Sequence, residues 1–358
     1  MEDVVTSLPS PEFWAKKRVF VTGHTGFKGS WLCSWLETLG AETTGFALPP
    51  AADRSLFEDA HVERGMRSLT GDVRDATAVL RAVAAASPDI VLHLAAQPLV
   101  RRSYLEPVET LASNVLGTAH VLEAARRVAS VRVVVIVTTD KCYENREWCW
   151  GYRETDALGG RDPYSASKAA AELVTAAYRD SFLAGRVAVA SVRAGNVIGG
   201  GDWSEDRLVP DVVRSVERGL PVKIRNPRSV RPWQHVLDPL AGYLVLAERL
   251  WHTPALQGAY NFGPRGSDSA TVYEIATALV RALGRGRLEL PGSATNEPHE
   301  AATLRLDCSK AETVLGFSPR LGTERTVELT ASWYANYLED RRSAPALVSE
   351  QLLAYGRS

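Results

Sequence analysis

The run Arg18-Val19-Phe20-Val21-Thr22-Gly23-His24-Thr25-Gly26-Phe27-Lys28-Gly29-Ser30-Trp31-Leu32-Cys33-Ser34-Trp35-Leu36 decides the fold. A short β-branched and aromatic stretch gives way to a glycine-rich turn and then to an apolar run of helical length, so the order is strand, turn, helix. Glycines in such a turn permit positive φ and let the backbone approach a diphosphate, which the first amides of the following helix bind. The spacing is Gly-x-x-Gly-x-x-Gly, not the Gly-x-Gly-x-x-Gly of the common dinucleotide fingerprint. Its place between strand and helix predicts a dinucleotide site, against the plainer alternative of a tight turn.

Strand-like and helix-like stretches alternate onward from this unit. Residues 43–48, 67–73, 90–96, 131–138 and 188–193 read as further strands, with helical patterns such as 108–128 between them. Alternation of this kind predicts a Rossmann-like, doubly wound parallel α/β sheet, with ligands gathered at the carboxyl ends of its strands. Residues 13–193 and 236–263 are expected to form the dinucleotide-binding domain. A smaller mixed α/β substrate lobe is expected from 194–235 and 264–340, and 341–358 reads as a poorly ordered tail with one short helix over 346–355.

Composition narrows the class. At 358 residues and 45% hydrophobic, the chain can bury a large core. A formal net charge of −1 offers no broad field for nucleic acid or acidic membranes. The apolar runs are strand length, far short of a bilayer span, and the acidic start Met1-Glu2-Asp3 lacks a signal-peptide pattern, so a cytoplasmic protein is expected. Cys33, Cys142, Cys149 and Cys308 make no Cys-x-x-Cys clip and the seven histidines are scattered. Free thiols and no metal site are expected.

The residues that carry chemistry follow strand ends. Tyr164 and Lys168, in Asp162-Pro163-Tyr164-Ser165-Ala166-Ser167-Lys168, lie four apart just after a helix-start signal, which puts both on one helical face. A phenol is a poor base at neutral pH unless a neighbouring cation favours its ionised form. Thr138-Thr139-Asp140-Lys141-Cys142-Tyr143 follows the fifth strand and brings hydroxyls, a carboxylate and an ammonium to the same edge. Asn114 stands mid-helix, an odd place for a short amide, either satisfying a nearby backbone group or propping Lys168. Downstream, Arg207, Arg214, Arg218, Lys223, Arg225, Arg228 and Arg231 form a basic, proline-punctuated stretch that suits phosphate recognition or, equally, a solvated face.

Together these motifs resemble the extended short-chain dehydrogenase/reductase family of NAD-dependent epimerases and dehydratases, from Phe13 to about Glu339. The general signatures are 22–29, His93-Leu94-Ala95-Ala96-Gln97, Asn114-Val115-Leu116-Gly117-Thr118 and the Tyr164/Lys168 pair. More selective are 139–145, 193–203, 231–236, His299-Glu300-Ala301 and 306–310, which look like the 4,6-dehydratases acting on CDP-glucose; the dTDP-glucose enzymes carry Asp-Glu where this chain has Asp140-Lys141.

The resemblance implies a reaction. C4 of the sugar is oxidised, which acidifies the C5 hydrogen; the C5 proton and C6 hydroxyl leave as water; hydride returns to C6. It implies that Tyr164 takes the C4 hydroxyl proton, with Lys168 lowering its pKa and holding the nicotinamide ribose. Thr139 is expected to bond the C4 oxygen, Asp140 to protonate the leaving hydroxyl, and Lys141 to act at C5; the alternative is a Lys141–Asp140 ion pair. Gly23, Thr25, Gly26, Phe27, Lys28, Gly29, Asp72, Val73, Leu94, Ala95, Ala96, Gln97, Asn114 and Thr138 are expected to hold the cofactor with Tyr164 and Lys168. Asn196, Arg207, Lys223, Arg225, Arg231 and His299 are expected at the nucleotide sugar.

The expected cofactor is NAD, although 46–50 offers no acidic residue after the second strand and His24 and Lys28 could meet a 2′-phosphate. Small residues Ala169, Ala170, Ala171, Ala176 and Ala177 permit close helix approach, and relatives pair this helix and that of Asn114 in a homodimer. The rival readings are a nucleotide-sugar 4-epimerase, a dTDP-glucose dehydratase and a non-catalytic cofactor sensor.

Overall fold

The computed structural model describes residues 8–50, 54–265, 270–290 and 303–357. Its centre is a seven-stranded sheet: β1 (Arg18–Thr22), β2 (Glu42–Ala47), β3 (Arg67–Thr70), β4 (Ile90–His93), β5 (Val133–Val137), β6 (Ala188–Ala194) and β7 (Gly258–Phe262). They lie in the order β7-β6-β5-β4-β1-β2-β3, and every neighbouring pair is parallel. β3, β4 and β5 run shorter than the sequence patterns, while β2 and β6 do not. The order reverses between β1 and β4, and such a switch point opens a crevice above the sheet.

Two cores hold the layers. Val19, Val21, Val133, Val135 and Val137 face one side, against α1 (Phe27–Thr38) and α6 (Leu237–His252). Phe20, Val134 and Ile136 face the other, against α2 (Ala76–Ala86) and α3 (Gly117–Arg127), with Val174 and Tyr178 of α4 (Pro163–Tyr178) packed beside them. The period-2 alternation within single strands is what sends neighbours to opposite layers. Near-continuous Val and Ile is the signature of strands buried on both faces.

The basic stretch holding Lys223 and Arg225 carries little strand. Val222–Lys223 is extended, paired in parallel with Leu288–Glu289 beside α5 (Leu208–Glu217) and α7 (Val272–Ala282). After α8 (Thr323–Glu339), the expected short helix is present and longer, α9 (Ala344–Arg357), so the segment expected to be poorly ordered is mostly helical. Ala344, Leu347, Val348, Gln351, Leu352 and Tyr355 are buried on one stripe at helical spacing, which docks α9 on the core near Trp35. Among the described residues no helix is long and apolar enough to cross a membrane.

Candidate active site

A cleft of about 780 Å³ opens above the carboxyl ends of β1, β4, β5 and β6. The glycine turn forms one wall. Gly23 has φ +74, and a Cβ there would stand 2.7 Å from the backbone nitrogen of Ala95; one on Gly29 would stand 2.1 Å from the carbonyl oxygen of Gly23. The turn can therefore lie flat against the β4 loop only with glycine at both positions. Gly26 is the N-cap of α1 and offers no side-chain cap, so the first amides of the helix face the cleft. Thr22 Oγ1 accepts from the backbone of Leu94 and Ala95, each at 3.1 Å, and bonds His93 Nδ1 at 2.6 Å, which ties the ends of β1 and β4 together.

Gly23, Thr25, Gly26, Phe27, Lys28, Gly29, Asp72, Val73, Leu94, Ala95, Ala96, Gln97 and Thr138 line this cleft together with Thr139, Asp140, Lys141, Tyr164 and Lys168. So do Asn196, Arg207, Lys223, Arg225 and Arg231. His299 lies outside the described residues. Asn114 is not on the wall. It sits in a π-helical turn, Ala112–Leu116, where Oδ1 accepts from Gln97 N at 2.8 Å and Nδ2 donates to Ser167 Oγ at 2.8 Å and Gln97 O. The amide thus props the β4 loop and the residue before Lys168 rather than the Lys168 ammonium.

The catalytic candidates come from two elements. Thr139 caps the single turn Asp140–Cys142 and donates to Asp140 Oδ1 at 2.9 Å. Asp140 is buried, and its Oδ2 has no hydrogen-bond partner among the described residues. On the second element, Asp162 caps α4 by accepting from Ser165 N, Pro163 occupies the first turn, and Tyr164 N donates to Ser103 Oγ. Burial pushes the Tyr164 phenol up to about 12, while the hydrogen bond with Thr139 and the charge of Arg207 pull it down. The charge of Arg207 favours the ionised phenol, while Lys168 Nζ donates to Val137 O at 3.1 Å.

Burial lowers Lys168 to about 8, with Glu172 and Cys142 opposing. Lys28 turns to the same end: burial lowers it to about 7, helped by Arg207 and Lys168 and opposed by Asp140 and Asp202. Its charge is thus coupled to the groups at the reacting end of the cleft. His24 is no phosphate ligand. Its buried ring bonds Ser68 Oγ at 2.7 Å, and burial pushes it down to about 4, so it is neutral. The two expected anchors of a 2′-phosphate are both directed elsewhere.

On the opposite wall Arg207 pairs with Asp202 at 3.0 Å, and Arg225 with Asp206 at 2.7 Å. Asp206 also faces Arg101 at 3.7 Å, a link between the two walls that the sequence did not disclose. Glu172 was missed as well. It is buried one turn beyond Lys168, bonded to Thr138, Ser191 and Arg193, and the continued i, i+4 spacing from Tyr164 was its only signal.

Comparison with known proteins follows this geometry. The chain is 50% identical over 333 residues, 91% of its own length and 92% of the relative's, to a CDP-glucose 4,6-dehydratase of Salmonella typhimurium. A solved dTDP-glucose 4,6-dehydratase from Streptomyces venezuelae with NAD bound superimposes with TM-score 0.76 at 26% identity, covering 92% of this chain and 99% of that one. A Thermus thermophilus UDP-glucose 4-epimerase in complex with NAD gives 0.76 at 28%, covering 88% and 98%. The profile of the GDP-mannose 4,6 dehydratase family matches residues 20–330, and the chain belongs to that family of extended short-chain dehydrogenases/reductases.

Proposed function

We propose that this protein is a hydro-lyase that converts a nucleoside diphosphate glucose, CDP-D-glucose first, to its 4-keto-6-deoxy sugar with NAD as a recycled cofactor. The identity to the Salmonella enzyme supports the substrate, and the NAD-bound relatives support the cofactor. One observation carries the reading. Tyr164 lies beside Thr139, which favours its ionised form, Thr139 donates to Asp140, and Asp140 keeps a buried oxygen with no partner among the described residues, all in the cleft that the glycine turn lines.

The residues present fit the cofactor. The uncapped start of α1 at Gly26 and Phe27 suits the diphosphate, Asp72 and Val73 the adenine, and Lys168 with Tyr164 the nicotinamide ribose. When bound, NAD supplies the acceptor for the C4 hydride and its donor to C6. The chain's own groups handle protons. Tyr164 accepts the C4 hydroxyl proton, with Thr139 bonding the same oxygen and Arg207 favouring the ionised phenol. The C4 ketone acidifies the C5 hydrogen, Lys141 removes it, and Asp140 protonates the departing C6 hydroxyl so that it leaves as water. Among the described residues no ion pair joins Lys141 to Asp140, whose Oδ1 is taken by Thr139. Asn196, Arg207 and Arg231 serve the sugar diphosphate, while Lys223 and Arg225 reach the base.

We also propose the two-lobe division at 193/194, 235/236 and 263/264, a cytoplasmic location, and a homodimer through the helices of Asn114 and Tyr164. Apolar side chains stand out along those helices and their neighbours, Leu105 at 83% and Val108 at 78% exposed, with Leu173 and Phe182 also exposed. Sedimentation giving a monomer removes the dimer. The activity is tested by incubating purified protein and NAD with CDP-glucose and dTDP-glucose. The expected result is a 4-keto-6-deoxy product from CDP-glucose with no net change in nicotinamide absorbance. A C4 epimer, or stoichiometric cofactor consumption, overturns the reading.

A further inference from the structure

We infer that Arg193 is a positioning residue: its guanidinium, paired with Glu172, holds both ends of the turn that carries Thr139, Asp140 and Lys141. The inference rests on the function proposed above, in which that turn supplies the acid and the base of the dehydration. The Arg193 and Glu172 side chains are 4% and 3% exposed, and Arg193 Nη2 donates to Glu172 Oε2 at 2.8 Å. Where the chain enters the turn, Thr138 donates its hydroxyl to Glu172 Oε1 and its backbone N–H to Val192 O at 2.8 Å. Where it leaves, Arg193 Nη1 donates to Tyr143 Oη at 2.8 Å, and that hydroxyl donates to Asn261 Oδ1 of β7 at 2.7 Å. Thr138, Glu172, Arg193 and Tyr143 thus form a chain of contacts that spans the turn from end to end.

Asp140 depends on this support because its carboxylate is not held from outside its own turn. Among the described residues Oδ1 accepts from Thr139 and Oδ2 has no hydrogen-bond partner. The backbone of the turn therefore sets where the acid stands, and the backbone is fixed at its two ends. A buried ion pair is a weak source of stability, since desolvating both charges offsets their attraction and apolar replacements are often as stable. What a forked cation adds is direction. Arg193 uses one nitrogen on Glu172 and the other on Tyr143, which an ammonium cannot do in fixed geometry. Its strand, β6, then leads into Gly195, which lies against the Asp140 carboxylate, so the same strand governs the ends of the turn and the room above it.

The test is Tyr143→Phe, which deletes the acceptor for Arg193 while the ring keeps its stacking on Tyr152, centroids 5.2 Å apart, and the ion pair stays intact. In single turnover with CDP-glucose, bound reduced nicotinamide should form within about twofold of the wild-type rate, because Tyr164 stands on α4 outside the turn. Its decay should slow about tenfold, because the acid and base of the turn are displaced. Arg193→Lys, which keeps a cation for Glu172 but has no second branch for Tyr143, should show the same slow decay. Without substrate, amides in peptides spanning 138–143 should exchange with deuterium about tenfold faster in Tyr143→Phe, and those of α4 at the wild-type rate. A wild-type decay rate in either variant, formation and decay slowed by the same factor, or unchanged exchange over 138–143 overturns the inference. If Arg193→Lys fails to fold, Tyr143→Phe decides. Wild-type protein inert toward CDP-glucose would overturn the proposed function instead, while the exchange measurement still decides the role of Arg193.

Discussion

Gly195 stands directly over the carboxylate of Asp140: a Cβ on Gly195 would lie 2.0 Å from Asp140 Oδ2 and 2.4 Å from its Cγ. The missing side chain is what leaves room for this buried oxygen, which has no partner among the described residues. Gly195 does not have positive φ, so alanine is allowed by the backbone and excluded only by the acid. Gly195→Ala should displace Asp140 and lower the dehydration rate by about 10²- to 10⁴-fold, the range of one general acid. Sugar oxidation should persist as bound reduced nicotinamide in single-turnover absorbance. Full dehydration by this variant would show that Asp140 is not the acid.

Lys141 lines the cleft beside Asp140 and, among the described residues, makes no ion pair. An amine at that place can take the C5 proton only in its neutral form, and methionine of similar length cannot take it at all. Lys141→Met should therefore let reduced cofactor accumulate while solvent deuterium fails to enter C5. Deuterium incorporation at the wild-type rate would exclude Lys141 as the base.

Local spacing made much of this site legible, and tertiary proximity hid the rest. The glycine turn and the Tyr164/Lys168 pair are read within single elements, where backbone geometry fixes which residues meet. The direction of Lys28 is not local: its ammonium answers to Arg207 and Asp202, nearly two hundred residues away by number, across the cleft. His24 failed as a phosphate ligand because its ring is needed against Ser68 and Phe57. Glu172 sat on an alanine-rich helix, and only Ser191 and Arg193 on β6 explain why it is buried. The stripe on α9 was present in the sequence at a 3.6-residue period; proximity to the chain end concealed it.

That last helix is tied in by a hydroxyl as well as by its buried stripe. Tyr355 Oη donates to Asp238 Oδ1 at 2.8 Å, on α6, which packs beneath the sheet. Tyr355→Phe should cost about 1–3 kcal/mol, because a buried carboxylate loses a donor while the ring stays packed. Chemical denaturation of both proteins measures it. Equal stability would show that the hydroxyl bond is dispensable.

Asp238 makes stability depend on pH with a definite sign. Burial raises it from 3.8 to about 6, against donations from Arg320 N, Leu321 N and Tyr355 Oη. A carboxyl with a raised folded value binds its proton more tightly in the native state, so its contribution is fully present below about 3.8 and is lost as pH rises through about 6. Asp238→Asn removes this dependence. The stability of Asp238→Asn relative to wild type should rise by about 1 kcal/mol between pH 5 and pH 7.5. A constant difference across that range would place the titration elsewhere.

Cofactor choice follows from what the end of β2 lacks. Strand β2 closes at Ala47, and Leu48, Pro49 and Pro50 follow with no carboxylate to favour the ribose diol. Among the described residues the neighbouring cations are engaged elsewhere. His24 is neutral, Lys28 faces the reacting end, Arg74 is held by Asp72 at 2.5 Å, and Arg54 by Glu217 at 2.9 Å. A 2′-phosphate would have to leave water without a charged partner, a cost the diol does not meet. NAD should bind at least roughly tenfold more tightly than NADP in parallel calorimetric titrations, about 1.4 kcal/mol. Lys28→Met should leave that ratio unchanged while altering turnover, because its ammonium acts at the sugar end; a collapse of the ratio in this variant would put Lys28 back at the adenosine.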